Sequence, residues 1–346
     1  MAKNITLTSG SILAGNPVTF KVKPETLSKS PSFHRVIVEV KAGLEHGDYQ
    51  TIKLSVPVTT EGNDVEFDIA SALRVPLDAF EYSADTEEFP WVQWNVTCYD
   101  EYMDSNGDVY TEQGKVYFPS SDTYYRAIAG AFTDLERMLS PSGTKNVKGL
   151  SRKPSSAPHL VAVGEQFTYA QPYSEEQTIA GSGSLPHPTS ATKNVEKEGS
   201  QQLGYQQVYA LPASEAKTRC EFRFVNSFGV MESISVPRVY QKTFSSTSTA
   251  YAKAVQETFG KFSRLGVRKV DNKESWLFTS DPLNEDWLHW YLHEFLMSEH
   301  VWIKIGGHWI FCVVSVDEEL TFYDSTQGQM LYVGFTATLD INGSPY

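Results

Sequence analysis

Short alternations of apolar and polar residues, not helical periods, dominate the first third of the chain. Residues 17–22, 35–40, 51–56, 64–67, 92–99 and 109–118 follow the pattern of half-buried strands. Turn residues separate them at Gly15-Asn16, Gly47-Asp48, Gly62-Asn63 and Asn106-Gly107. The last lies between WVQWNVTCYDEYM and VYTEQGKVYF and predicts a hairpin, since Asn-Gly accepts the positive φ that a two-residue turn requires. Short strands with frequent turns predict a β-sandwich, immunoglobulin-like or fibronectin-type-III-like, over residues 1–120.

The pattern then changes twice. Residues 124–139, YYRAIAGAFTDLERML, fit an amphipathic helix, at a cost of about 1 kcal/mol for Gly130 relative to Ala. Residues 140–202 are rich in Ser, Thr, Pro, Gly and Lys and contain GSGSLPHPTSAT, a composition with too little apolar surface to order itself. Strands return at 160–169, 207–211, 218–225 and 229–236, which predicts a second, small β-domain within 121–245.

Residues 250–262 suit either a helix or a strand. The clearest helix in the sequence spans 282–297, with Asp281 as N-cap, Pro282 in the first turn, and Glu285 and Asp286 at the positive end of the dipole. Its apolar stripe is Trp287, Leu288, Tyr291, Leu292, Phe295 and Leu296. Strands follow at 301–305, 308–316, 319–323 and 330–340, with Gly306-Gly307 as a hairpin turn and apolar residues on both faces of 308–316. The expected fold is mainly β: the sandwich, the small β-domain, and an α+β domain over 246–346 with one helix on an antiparallel meander.

Composition narrows the functional classes. The 346 residues carry 29 Lys and Arg against 42 Asp and Glu, a net charge of −13 that repels phosphate backbones, so no nucleic-acid partner is expected. Cys98, Cys220 and Cys312 are odd in number and widely spaced, which suits buried thiols, not a disulfide framework or zinc module. The N-terminus lacks the apolar core of a secretory signal and no 18-residue apolar run occurs. A soluble chain made in a cytoplasm, without a membrane partner, is expected; the sequons at Asn4 and Asn95 then occur by chance.

Several constellations imitate chemistry. His289 and His293 lie four apart on one helical face, at metal-ligand spacing, but Trp290 occupies the place where a zincin helix has Glu. They are the weak candidates in a chain expected to hold no metal and no cofactor. DSNGD at 104–108 resembles part of a calcium loop, but its spacing is wrong and a hairpin tip is expected. Lys145, Lys148, Arg152 and Lys153 form a basic stretch without acids, read as a solvated loop or as an assembly loop docking an acidic neighbour. Trp91, Trp94, Tyr99, Tyr102 and Tyr110 are the aromatics that a glycan-binding sandwich face would use.

Residues 308–325, HWIFCVVSVDEELTFYDS, resemble the His-Trp and Asp-Ser segments of cysteine proteases that process ubiquitin-like modifiers. That family places Gln and then the nucleophilic Cys after the Asp, whereas neither Gln327 nor Gln329 precedes a Cys and none lies beyond Asp324. Cys312 stands four residues after His308 on the same predicted strand, about 13 Å along it, too far for proton transfer. A relic without its nucleophile is the reading this resemblance supports.

A second resemblance covers more of the chain. AIAGAFTDLERML at 127–139, FRFVNSFGVMESISV at 222–236 and LYVGFTATLDI at 331–341 resemble motifs of uncharacterised phage and prophage proteins from gut Bacteroidales that sit among virion structural genes. It implies a non-enzymatic structural role in a tail, baseplate or fibre attachment, located in the virion and in the host cytoplasm during assembly. The implied partners are other virion proteins or further copies of the chain. A carbohydrate-binding or adhesion module is the alternative.

Overall fold

The computed structural model describes residues 5–9, 13–26, 33–45, 47–60, 63–104, 106–111, 116–118, 124–131, 150–154, 158–171, 187–238, 241–252, 265–316 and 331–339, with the backbone alone at 9, 250, 252 and 265–272. The fold is mainly β, with several sheets and a helix packed on one of them. The chain divides into two compact units: Met1–Ser151, Ala170–Ala191 and Ser227–Val230 form the first, and Arg152–Tyr169, Thr192–Asn226 and Met231–Tyr346 the second.

In the first unit, β1 (Ile5–Ser9), β2 (Thr19–Val22) and β5 (Val65–Asp68) make one antiparallel sheet. The other holds β3 (Phe33–Leu44), β4 (Gln50–Pro57) and β6 (Trp91–Met103), in the order β4-β3-β6. The long β6 is paired in succession by β9 (Tyr125–Ile128), β8 (Val116–Phe118) and β7 (Val109–Thr111). Alternation sends Val18, Phe20, Val22, Val65 and Phe67 from one sheet and Val36, Val38, Val40, Trp94, Val96 and Cys98 from the other into a common core. Phe20 stacks on Phe67 at 5.4 Å and meets Trp94 edge-on at 6.0 Å. Two sheets facing across one core form the sandwich that the alternation predicts.

Two local outcomes differ from the sequence reading. Helix α1 (Ala70–Asp78) was not expected, because its buried set, Ala72, Leu73, Pro76 and Leu77, is small and includes a proline. Asp68 begins it, its Oδ1 accepting from the N–H groups of Ala70 and Val18, each at 2.9 Å. Conversely, the expected helix at 124–139 begins as strand β9, and Gly130 adopts φ +108°, outside helical space. Pairing to β6 outweighs a weak helical propensity there; 132–139 lie outside the described residues.

The Asn106-Gly107 hairpin forms, but with a longer tip than two residues. Met103 pairs with Val109, and Asp104 Oδ1 accepts from Asn106 N at 2.8 Å and Asp108 N at 3.1 Å. Asp104 builds the turn.

In the second unit, β10 (His159–Ala162) runs parallel to β14 (Gln206–Leu211), which also pairs with β13 (Gly199–Leu203). Strands β11 (Gln166–Ala170) and β12 (Ser190–Asn194) lie mostly in this unit, each with an end in the first. Strands β12 and β13 therefore lie within the Ser-rich segment expected to lack order. The main sheet has seven antiparallel strands in the order β16-β15-β19-β20-β21-β18-β17. These are β15 (Arg219–Val225), β16 (Met231–Pro237), β17 (Gln241–Ala252), β18 (Leu265–Thr279), β19 (Val301–Ile305), β20 (His308–Ser315) and β21 (Gly334–Leu339). The expected domain boundary at 245/246 falls inside β17, and β15 to β17 share one sheet with β19 to β21. Gly306 and Gly307, at φ +61° and +87°, make the predicted tight turn.

Helix α2 (Glu285–Trp290) continues as a π-helical turn over Tyr291–Phe295. Its N-cap is Asn284, whose Oδ1 accepts from Trp287 N at 3.0 Å, and not the expected Asp281. Leu283 exchanges backbone hydrogen bonds with Leu331, which holds 281–284 out of the helix. Trp287, Leu288, Trp290, Tyr291 and Phe295 pack on Phe222, Phe224, Phe278, Ile303 and Phe335 of the sheet. No helix among the described residues is long and apolar enough to cross a membrane.

Phe222 is fully buried and meets Phe278, Phe295 and Phe335 edge-on at 5.1, 5.6 and 5.8 Å. Its replacement by Ala is expected to destabilise the second unit by about 3–5 kcal/mol in denaturant unfolding. A loss below about 1 kcal/mol would show that this ring does not organise the core.

Candidate functional site

The structure disperses most of the candidates that the sequence suggests. Trp91, Trp94 and Tyr99 are 2, 1 and 7% exposed, which corrects their expected place on an open glycan face. Trp91 is covered by the stacked ring of His187 at 5.1 Å and by the Arg126 guanidinium at 4.1 Å, and Tyr99 donates to Glu39 Oε1 at 2.9 Å. Tyr102 and Tyr110 remain at the surface, stacked on each other at 5.5 Å.

His289 and His293 do share an exposed helical face, with ring centroids 4.3 Å apart. Burial, and then His289, lowers the pKa of His293. Among the described residues no group of three or more His, Cys, Asp or Glu side chains is placed to hold a metal.

His308 is exposed, whereas Cys312 is buried and its thiol is pushed up to about 12 by desolvation. The thiolate is the reactive form, so this sulfur is held unreactive. Asp324 lies outside the described residues. Strand β20 is internal by pairing, but its outer face is open: Phe311 and Val313 are exposed, contrary to the expectation of a strand buried on both faces.

The basic stretch is corrected in a different way. Lys145 and Lys148 lie outside the described residues, but Arg152 and Lys153 are half-buried and paired, not solvated. Arg152 Nη1 pairs with Glu294 Oε1 at 2.8 Å. Lys153 Nζ donates to Ser233 O at 3.2 Å and sits 4.9 Å from the ring centroids of both Phe167 and Trp290. Burial lowers its pKa to about 8, an effect that the Glu232 carboxylate opposes. Glu232, itself fully buried, accepts from Trp290 Nε1 at 3.3 Å.

This cluster extends into a polar clamp. Arg219 donates to Ser235 Oγ at 2.9 Å and O at 2.7 Å, and pairs with both oxygens of Asp281. That pairing is the role of the residue expected to cap the helix. His159 lies against Phe167, Trp287 and Trp290, and burial followed by the charges of Lys153 and Arg219 holds its pKa well below the usual range, so its ring stays neutral. The clamp ties 152–153 and β10 to the helix and sheet, with the Lys153 ammonium set against the rings of Phe167 and Trp290. Its chemistry is that of a fastening.

The open feature of the second unit is the ribbon of β17 and β18. Paired from Gln241↔Leu277 to Ala252↔Leu265, it extends beyond the sheet, because β18 meets β21 only over 274–279. Among the described residues, 265–273 pair with β17 alone, and nothing pairs the outer edge of β17. Residues 241–249 and Tyr251 are all exposed, Phe244 at 68%. The sequence reading missed this ribbon because QKTFSSTSTAYA lacks the apolar alternation of a packed strand. Its signal was a twelve-residue, Thr-rich run without Gly, Pro or acid.

No family model, no curated protein and no solved structure matches the chain.

Two expectations follow from the buried groups. The unfolded chain binds the Lys153 proton up to about pH 10.5 and the folded chain releases it near 8, a difference of about 3 kcal/mol. The stability of the native chain relative to a Lys153→Met variant should therefore rise with pH between 7 and 10, by up to that amount; parallel pH profiles would contradict the burial of this cation. Cys98, Cys220 and Cys312 are buried thiols outside any disulfide. A thiol reagent at pH 8 should label none in the folded chain and all three after denaturation, and stoichiometric labelling of native Cys312 would refute its shielding.

Proposed function

We propose that this chain is a non-enzymatic virion structural protein of a tail, baseplate or fibre attachment, acting through protein–protein assembly. The observation that carries the reading is the β17–β18 ribbon. A two-stranded hairpin is at best marginally stable in water, and three or more strands or a packed face are needed for independent stability. Proteins also protect sheet edges with charge, proline or bulges. Residues 243–252 of β17 carry no charge and no proline, and the single register shift precedes Ala250. Such an edge suits a protein whose working state is an assembly.

Further support comes from the exposed Phe311 and Val313 on the outer face of β20 and from the resemblance of three segments to phage virion proteins. On this reading the chain is made in the host cytoplasm, ends in the particle, and binds other virion proteins or itself. Its net charge of −13 disfavours nucleic acid as a partner. A glycan-binding reading would rest on Tyr102 and Tyr110, whose ring faces are turned to each other. A protease relic gains nothing from an exposed His308 and a buried Cys312.

Quantitative mass spectrometry of purified particles tests the proposal. It should find this chain at a fixed copy number across preparations. Its presence in infected cells together with its absence from particles would overturn the reading.

A further inference from the structure

We propose that the free edge of β17 is a two-fold seam at which a second copy of this chain adds its own β17, antiparallel and centred on Thr247. The inference rests on the assembly reading above and names the partner at the surface that carries it.

The ribbon itself is short of a strand. Its distal part has two strands among the described residues, one short of the three at which sheets become stable by themselves. Pairing two copies edge to edge gives the order β18-β17-β17-β18 and turns two marginal hairpins into a four-stranded sheet. It also satisfies the outward N–H and C=O groups of β17, which in an antiparallel strand belong to alternate residues, about six of the twelve on each copy.

The β17 sequence is also complementary to itself. About Thr247, antiparallel self-pairing sets Thr247 opposite Thr247, Ser246 opposite Ser248, Ser245 opposite Thr249, Phe244 opposite Ala250, Thr243 opposite Tyr251 and Lys242 opposite Ala252. Hydroxyls meet hydroxyls at the centre, cross-strand pairs of a kind that favours sheet formation. The large Phe244 meets a small residue, and the only charge in the strand never meets its own kind. Lys242 is already engaged over the Trp276 ring of its own chain, 3.4 Å from the centroid.

Charge favours the same strand. A chain of net charge −13 repels its copies over most approaches, and β17, with one Lys and no acid, is a segment from which that repulsion is missing. The interface is isologous, each copy presenting the same strand, so it closes as a dimer.

Cysteine cross-linking of the full chain tests this. Directly paired antiparallel residues have Cα atoms about 4.5–5.5 Å apart, within disulfide reach. A Thr247→Cys variant should form a covalent dimer under mild oxidation, whereas Phe244→Cys should do so at least roughly tenfold more slowly, because its two copies stand about 20 Å apart along the seam. Mixing Ser245→Cys chains with Thr249→Cys chains should give the mixed dimer above either homodimer. The native thiols are buried and contribute little background. An unchanged unfolding midpoint confirms that each variant folds. If the chain self-associates and Thr247→Cys fails to cross-link, the seam is wrong and the assembly reading stands. If the chain stays monomeric and uncross-linked, this inference falls, and particle composition separately decides the assembly reading.

Discussion

The hydrogen-bonding capacity of an unpaired strand edge is the constraint on which this account of the molecule depends. Backbone N–H and C=O groups at such an edge are satisfied by water or by another strand, and a strand that is long, regular and free of charge favours the second outcome. Elsewhere among the described residues β6 collects β7, β8 and β9 along one side, β19 and β20 lie inside the seven-stranded sheet, and the terminal strands β4 and β16 leave edges of eight and seven residues. Strand β17 leaves the longest terminal edge, over twelve residues.

The rest of the second unit makes that exposed edge tolerable. The ring cluster of Phe222, Phe278, Phe295 and Phe335 fixes the sheet under the helix, and the Arg219–Asp281 and Arg152–Glu294 pairs tie the flanking segments to it. Buried ion pairs add little net stability compared with apolar packing, but removing one partner is costly because it leaves the other charge uncompensated. A rigid base of this kind can present an arm in a fixed orientation.

The sequence displayed those parts of the fold whose cause is local. Alternation revealed β3, β4 and β6, and paired glycines revealed the turn before β20, because side-chain period and positive φ are properties of the residues themselves. The start of α2 and the identity of β9 were hidden, since each depends on a distant partner: Leu331 holds Leu283 out of the helix, and β6 recruits 125–128. Burial was hidden in the same way. Trp91, Trp94, Arg152 and Lys153 looked like surface groups because nothing in their neighbourhood announces the ring, carboxylate or carbonyl that covers them. The ribbon was least legible, as a strand that contributes nothing to a core leaves no hydrophobic trace.

Hydrogen–deuterium exchange across a dilution series tests the central claim most directly, because it reads the edge amides themselves. In the dilute chain, outward amides of β17 should exchange within seconds to minutes while those of β15 and β19 stay protected, and protection over 243–251 should grow as the chain associates. Protection of those amides that is already complete in the dilute monomer, or that stays unchanged on association, would contradict the account.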